Sequence, residues 1–128
     1  MNLLQLKARA LICFVLLLLT ACTNQKTFHF HGESENWDVR YVVDIVGENS
    51  ESSSIVIRYI GEASVPEKIN YYIDRGSGAS SGNVSLDEGV LRTSGGSCSG
   101  CAVTKENEEI DVIIEWNGET EKFTLNNK

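Results

Sequence analysis

Three stretches of this chain alternate apolar and polar side chains with a period of two, and that period admits one kind of secondary structure. Trp37, Val39, Tyr41, Val43 and Ile45 interleave with Asp38, Arg40, Val42, Asp44 and Val46. Ile55, Ile57 and Tyr59 do the same with Val56, Arg58 and Ile60, as do Ile69, Tyr71 and Ile73 with Asn70, Tyr72 and Asp74. Successive side chains of a strand point to opposite faces, so each run offers one apolar face to a core. The runs are rich in β-branched and aromatic residues, which suit a pleated surface. After residue 22 there is no 3.6-residue apolar stripe, so helix is expected to be nearly absent there.

The C-terminal segment adds a register. Ile110, Val112, Ile114 and Trp116 lead into Asn117-Gly118, and a second alternating run follows from Glu119 to Leu125. A two-residue turn between strands needs φ > 0 at both positions, which Asn-Gly supplies at low cost. Such a turn sets Trp116 opposite Glu119, Ile114 opposite Glu121, Val112 opposite Phe123 and Ile110 opposite Leu125. The apolar face is then Ile110, Val112, Ile114, Trp116, Phe123 and Leu125, with Ile113 the one apolar residue on the other side.

The middle of the chain is looser. Residues 76–82 are glycine- and serine-rich and read as a flexible loop. Residues 84–86 and 90–92 read as short strands around Asp87-Glu88-Gly89, and residues 101–104 as a further one. That makes about seven to nine strands in roughly 100 residues, the pattern of an all-β antiparallel two-sheet sandwich, immunoglobulin-like in the broad sense, with a small β-barrel as the alternative. Residues 28–128 are expected to form a single domain, because a chain this short supports one modest core.

The first residues are set aside from the fold. Lys7 and Arg9 precede an apolar run, residues 10–19, of about the length of a secretory signal peptide. A membrane-spanning helix needs roughly 20 apolar residues, and this run is shorter. Leu19-Thr20-Ala21-Cys22 resembles the lipobox of bacterial lipoproteins. The resemblance implies a signal peptide over residues 1–21, a diacylglyceryl group on the thiol of Cys22, and cleavage that leaves Cys22 first. Residues 22–27 then read as a lipidated tether. The implied location is the extracytoplasmic face of the cell membrane, with the membrane as partner through the lipid on Cys22; two acyl chains hold far better than one.

The chain carries 11 Lys and Arg against 18 Asp and Glu, a net charge of −7. Removing Lys7 and Arg9 leaves 9 against 18, or −9. No basic stripe exists, so nucleic acid is not an expected partner. The acid is expected to keep an extracytoplasmic domain soluble.

Two segments carry a second resemblance: residues 30–37, Phe-His-Gly-Glu-Ser-Glu-Asn-Trp, and residues 114–125, Ile-Glu-Trp-Asn-Gly-Glu-Thr-Glu-Lys-Phe-Thr-Leu. They are similar to the two ends of small lipoproteins of Bacillus-type, Gram-positive bacteria, which open with a Phe-x-Gly-x-Ser-x-x-Trp-like stretch and close with a Trp-Asn-Gly hairpin. The resemblance implies a β-rich Gram-positive lipoprotein and supplies no activity. In this reading Gly32 permits a turn after the first strand, and Trp37 anchors the core.

Candidate chemistry is sparse. His29 and His31, two apart on a strand, share a face and with Glu33 offer metal-ligating groups, but inward Phe28 and Phe30 leave both imidazoles in solvent. Glu33 with Glu35, or Glu106 with Glu108 and Glu109, are carboxylate groups of the kind that acid–base catalysis uses, yet they fall in expected turns. No nucleophile motif accompanies a histidine. Of Tyr71 and Tyr72 one points inward and one outward; outward Tyr72, with Tyr41 or Tyr59 were their faces reversed, offers a platform for a peptide or glycan.

Cys98 and Cys101 remain. Outside the cytoplasm disulfides persist. Cys13 leaves with the signal and Cys22 carries lipid, so Cys98 and Cys101 are expected to pair with each other. A redox centre would set the first cysteine at a helix N-terminus, and no helix pattern follows. A structural zinc site would need two further ligands at matching spacing. A structural disulfide in a loop is therefore the first reading, with a redox pair or metal-binding thiols as alternatives. The expectation for the whole is a lipid-anchored extracytoplasmic binding or interaction module without enzymatic activity, cofactor or bound metal, meeting a protein partner at the cell surface. The alternative is a small thiol-redox or metal-handling lipoprotein using Cys98/Cys101 or His29/His31.

Overall fold

The computed structural model describes residues 2–19 and 24–127. α1 (Leu3–Leu19) is followed by eight strands: β1 (Gln25–Glu33), β2 (Trp37–Val46), β3 (Ser50–Tyr59), β4 (Lys68–Asp74), β5 (Ala79–Ser85), β6 (Val90–Ser99), β7 (Ile110–Trp116) and β8 (Glu119–Asn127). All pairings are antiparallel, and the order across the sheet is β5-β4-β7-β8-β1-β2-β3-β6. The chain is all-β, as the alternating runs predict.

The expected sandwich and the expected barrel differ here only in their seams. One half-sheet is β1-β2-β3-β6, the other β5-β4-β7-β8. On one side they join, among the described residues, through a short ladder of two residue pairs, Phe30 with Asn127 and His31 with Asn126. On the other side β5 and β6 form no ladder, but the Ser80 hydroxyl donates to the Gly95 carbonyl at 2.8 Å. The eight-stranded sheet is thus nearly closed on itself, with the core inside it.

Gly95 makes that contact because it is a bulge. Ser54 pairs with Ser94 and Ser53 with Gly96, leaving Gly95 as the extra residue of β6. A bulge bends its strand and re-aims local groups. No side chain fits there: a Cβ on Gly95 would run into the Ser53 hydroxyl and lie 3.1 Å from the Tyr41 ring.

The core is built from the expected alternation. Trp37, Val39, Tyr41, Val43 and Ile45 of β2 are buried, as are Ile55 and Ile57, Ile69, Tyr71 and Ile73, and Ile110, Val112, Ile114, Trp116 and Leu125. The final hairpin has the expected register, from Trp116 opposite Glu119 to Ile110 opposite Leu125. Its turn residues Asn117 and Gly118 have φ of 47° and 79°.

Five expectations are corrected. Residues 79–82 are strand, not loop, because β4 pairs with them from Asp74–Ala79 to Tyr71–Gly82. Residues 95–99 are strand too, paired with β3, while residues 101–104 are not. The first strand begins at Gln25, inside the expected tether, where Gln25 pairs with Val46. Gly32 makes no turn: it lies within β1 opposite Val39, and a Cβ there would sit 2.6 Å from the Thr124 carbonyl and 2.8 Å from Leu125. Its missing side chain is the space that Leu125 fills.

α1 includes the apolar run of the expected signal, and its Leu, Ile, Phe and Val side chains between Leu3 and Leu17 are exposed. No described helix is long and apolar enough to cross a membrane. Cys22, the expected lipid site, lies outside the described residues.

Candidate functional site

The strand directions give the barrel two distinct ends. β1, β3, β5 and β7 begin at the end where Asn24 accepts from the Gly47 amide at 2.9 Å; β2, β4, β6 and β8 begin at the other. The near end, closest in sequence to Cys22, carries Cys98 and Cys101. The far end carries the β7–β8 turn and both tryptophans of the core.

At the near end the core turns polar. Counting back in twos from Ile55 on β3 gives Ser53 and Glu51, both inward and buried. The Glu51 carboxylate accepts from the Thr104 amide at 2.8 Å and faces Arg75 Nη1 at 3.4 Å. The same Nη1 donates to the Tyr41 hydroxyl at 2.9 Å, and the guanidinium lies 5.9 Å from the Tyr41 ring centroid. Burial pushes the Tyr41 phenol above its ordinary value of 10.0, against the opposing pull of Ser53 and of the Arg75 charge. A buried carboxylate is tolerable only when paired and hydrogen-bonded, and Arg75 and Thr104 meet that requirement.

The cysteines belong to this cluster. Cys98 pairs in register with Glu51 across β3 and β6, and it is bonded to Cys101. The Cys101 amide donates to the Asn49 carbonyl at 3.0 Å, which ties the residues after β6 to the β2–β3 turn. The expected pairing is therefore present, but Cys98 sits in a strand rather than a loop. One carboxylate oxygen of Glu51 and the two sulfurs all lie within 4.8 Å of one another.

Of the two histidines expected in solvent, only His29 is exposed; His31 is half-buried against Asp38. His31 lies 3.0 Å from an Asp38 oxygen and 3.7 Å from Glu33, while His29 is exposed and outside the group. Phe30 is buried and Phe28 half-buried, as expected. Burial raises the Asp38 carboxyl, but the hydrogen bond with His31, hydrogen bonding with Glu33 and the charges of His31 and Arg40 outweigh it, holding the group below 3.8. Arg40, 3.7 Å from Asp38, already places a cation at this cluster.

The two carboxylate groups lie at opposite ends of the barrel. Glu33 ends β1, Glu35 lies in the bend after it, and residues 106–109 are in the β6–β7 connection. Tyr72 is the outward tyrosine, 42% exposed, while Tyr71 and Tyr41 are buried and Tyr59 packs inward on Trp37.

Around Tyr72 the outer face of β5-β4-β7-β8 is polar. One row crosses all four strands as Asn83, Asn70, Glu115 and Thr120. The next row is Ser81, Tyr72, Ile113 and Lys122. Asn83 donates to Asn70 at 2.6 Å, which orients both amides. A cleft of about 490 Å³ opens beside the first row, at the far end, lined also by Lys68 and Asn117.

The sequence reading missed Glu51, Arg75 and Thr104 at the near end and the amide row at the far end. Glu51 had a signal, since it falls in phase with Ile55 and Ile57 through a serine-rich run. Arg75 and Thr104 lie outside any strand and had none. No protein-family model, curated protein or solved structure matches the chain.

Proposed function

We propose that this chain is a lipid-anchored, extracytoplasmic binding module, without catalytic activity, that meets its ligand on the outer face of β5-β4-β7-β8. The anchor rests on the basic start, the short apolar run and Leu19-Thr20-Ala21-Cys22, with Cys22 as the lipid site. The barrel interior is filled by side chains, so a ligand is met from outside.

The observation that carries the reading is the cleft of about 490 Å³ at the end of the barrel remote from the tether. Small-ligand sites combine concavity with a few oriented polar groups. Here two paired amides, a carboxylate and a hydroxyl line up beside an exposed aromatic ring. That chemistry fits an uncharged polyhydroxyl chain such as cell-wall glycan: hydroxyls bond to the planar amides and the carboxylate, and a sugar ring covers Tyr72. The net charge of −7 disfavours polyanionic ligands.

The test is co-sedimentation of the full chain, in detergent, with insoluble cell-wall glycan stripped of its anionic polymers. Retention is expected, weakened on the order of tenfold by Tyr72→Ala or Glu115→Ala, the size of a lost hot-spot contact. A wild-type chain that stays in the supernatant overturns the ligand class. Cys22→Ser should move the chain from the membrane to the soluble fraction, and continued membrane retention overturns the anchor. A second reading, a small thiol-redox or metal-handling lipoprotein, is favoured by Glu51 beside Cys98 and Cys101; His29, outside its cluster, gives it no support.

A further inference from the structure

We infer that the near end of the barrel is a redox-gated site for a thiophilic divalent cation, with Cys98, Cys101 and Glu51 as its protein ligands. The inference stands apart from whichever ligand the far face takes.

The geometry begins with the strand register. Glu51 and Cys98 are directly paired residues of β3 and β6, and the Glu51 side chain is 4% exposed. Cys101 is held from the other side by the Asn49 carbonyl. The three donor atoms lie within 4.8 Å of one another. Metal–sulfur bonds of about 2.3 Å and metal–oxygen bonds of about 2.0–2.2 Å in a tetrahedron place donors roughly 3.6–3.8 Å apart. Cleaving the disulfide frees the sulfurs to move to that separation without moving either strand. The Thr104 hydroxyl, buried in this cluster, has no hydrogen-bond partner among the described residues. A metal-bound water in the fourth position would supply one.

Charge supplies the gate. With the disulfide closed, Glu51 faces Arg75 as one carboxylate against one guanidinium, and the cluster needs no further cation. Reduction by a small thiol takes two electrons and two protons: the S–S bond breaks, two R–SH become R–S–S–R, and Cys98 and Cys101 become thiols. Binding M²⁺ then releases both thiol protons. Two thiolates and one carboxylate against one guanidinium leave two negative charges, which one divalent cation neutralises. Two soft sulfurs with one oxygen favour Zn²⁺ over Mg²⁺ or Ca²⁺. Reoxidation by R–S–S–R reverses the sequence: the two thiolates form the S–S bond, R–S–S–R takes up two electrons and two protons to become two R–SH, and M²⁺ leaves to solvent.

The experiment uses the full chain in detergent, oxidised or reduced with a phosphine, with Co²⁺ as spectroscopic probe and Zn²⁺ as competitor. The reduced chain should take one Co²⁺ at this site, showing thiolate charge transfer and tetrahedral ligand-field bands that Zn²⁺ abolishes. The oxidised chain should show neither. Cys98→Ser/Cys101→Ser retains Cys13 and Cys22, so any signal from those thiols is subtracted. Glu51→Gln should weaken binding by roughly tenfold or more while keeping the charge-transfer band. Equal spectra from the reduced wild type and the double serine variant overturn the site, as does undiminished affinity in Glu51→Gln. Should Glu51→Gln fail to fold, X-ray absorption on the Zn²⁺-loaded wild type decides: two sulfurs with oxygens support the site, and four sulfurs or none overturn it.

Discussion

The indole rings of Trp37 and Trp116 meet edge to face, with 5.3 Å between centroids and 78° between planes. Trp37 opens β2 and Trp116 closes β7, so the contact joins the two half-sheets at the far end. Tyr59 also packs against Trp37, with 5.1 Å between ring centroids. Such aromatic pairs add to the apolar area they bury. Trp37→Ala should lower the unfolding free energy by about 3–5 kcal/mol, read as a reduced urea midpoint with an unchanged slope. A loss under about 1 kcal/mol would mean that the far end repacks around the gap.

Glu121 of β8 ties the same two half-sheets by hydrogen bonds to the β1–β2 connection. Its carboxylate accepts from the Ser34 hydroxyl at 2.6 Å, the Asn36 amide at 3.0 Å and Asn36 Nδ2 at 2.6 Å. Partial burial pushes this carboxyl up, but the bonds from Asn36 and Ser34 prevail and hold it below its ordinary 4.5. A depressed folded-state value contributes stability above the unfolded value and loses it as pH falls through the folded one. The urea midpoint should therefore drop on acidification below about pH 4.5, with Asp38 adding to the same trend. Glu121→Gln should shallow that drop, and an identical pH profile in the variant would exclude Glu121 as a contributor.

Arg75 and Glu51 are both largely buried, and removing one partner strands the other. Arg75→Met should cost roughly 3–5 kcal/mol, whereas Arg75→Met/Glu51→Gln should recover part of that loss. A double-mutant cycle by chemical denaturation checks the coupling. Additive losses would show that the two charges are independently solvated.

Gly95 sets the β5–β6 seam. Gly95→Ala forces a methyl toward the Ser53 hydroxyl and the Tyr41 ring and should cost about 1–3 kcal/mol by overpacking. Hydrogen exchange should speed up in residues 79–82 and 94–97 more than in the β7–β8 hairpin. Uniform acceleration would place the damage in the whole core instead of the seam.

The Cys98–Cys101 bond closes a very short loop, so it removes little freedom from the unfolded chain. Cys98→Ser/Cys101→Ser should cost less than the roughly 3 kcal/mol assigned to a 15-residue loop. Calorimetry of the oxidised wild type against the variant measures it. A larger loss would assign the bond a packing role at the near end.

The amino-acid sequence by itself determined the strands whose own side chains carry the pattern. β2, β4 and the β7–β8 hairpin follow from alternation, and the hairpin register follows from Asn117-Gly118, because both signals are local. Tertiary structure decided β5 and the second half of β6. Their glycines and serines have weak strand preference of their own, and β4 and β3 impose extension on them through backbone hydrogen bonds. The small residues that read as a loop are what the Gly95 bulge and the Tyr71–Gly82 contact require. The same holds for the candidate site. Cys98 and Cys101 were legible as a pair, but their neighbours Glu51, Arg75 and Thr104 come from three separate segments. Only closure of the barrel brings them together, since no local periodicity records which polar side chains will share a buried end.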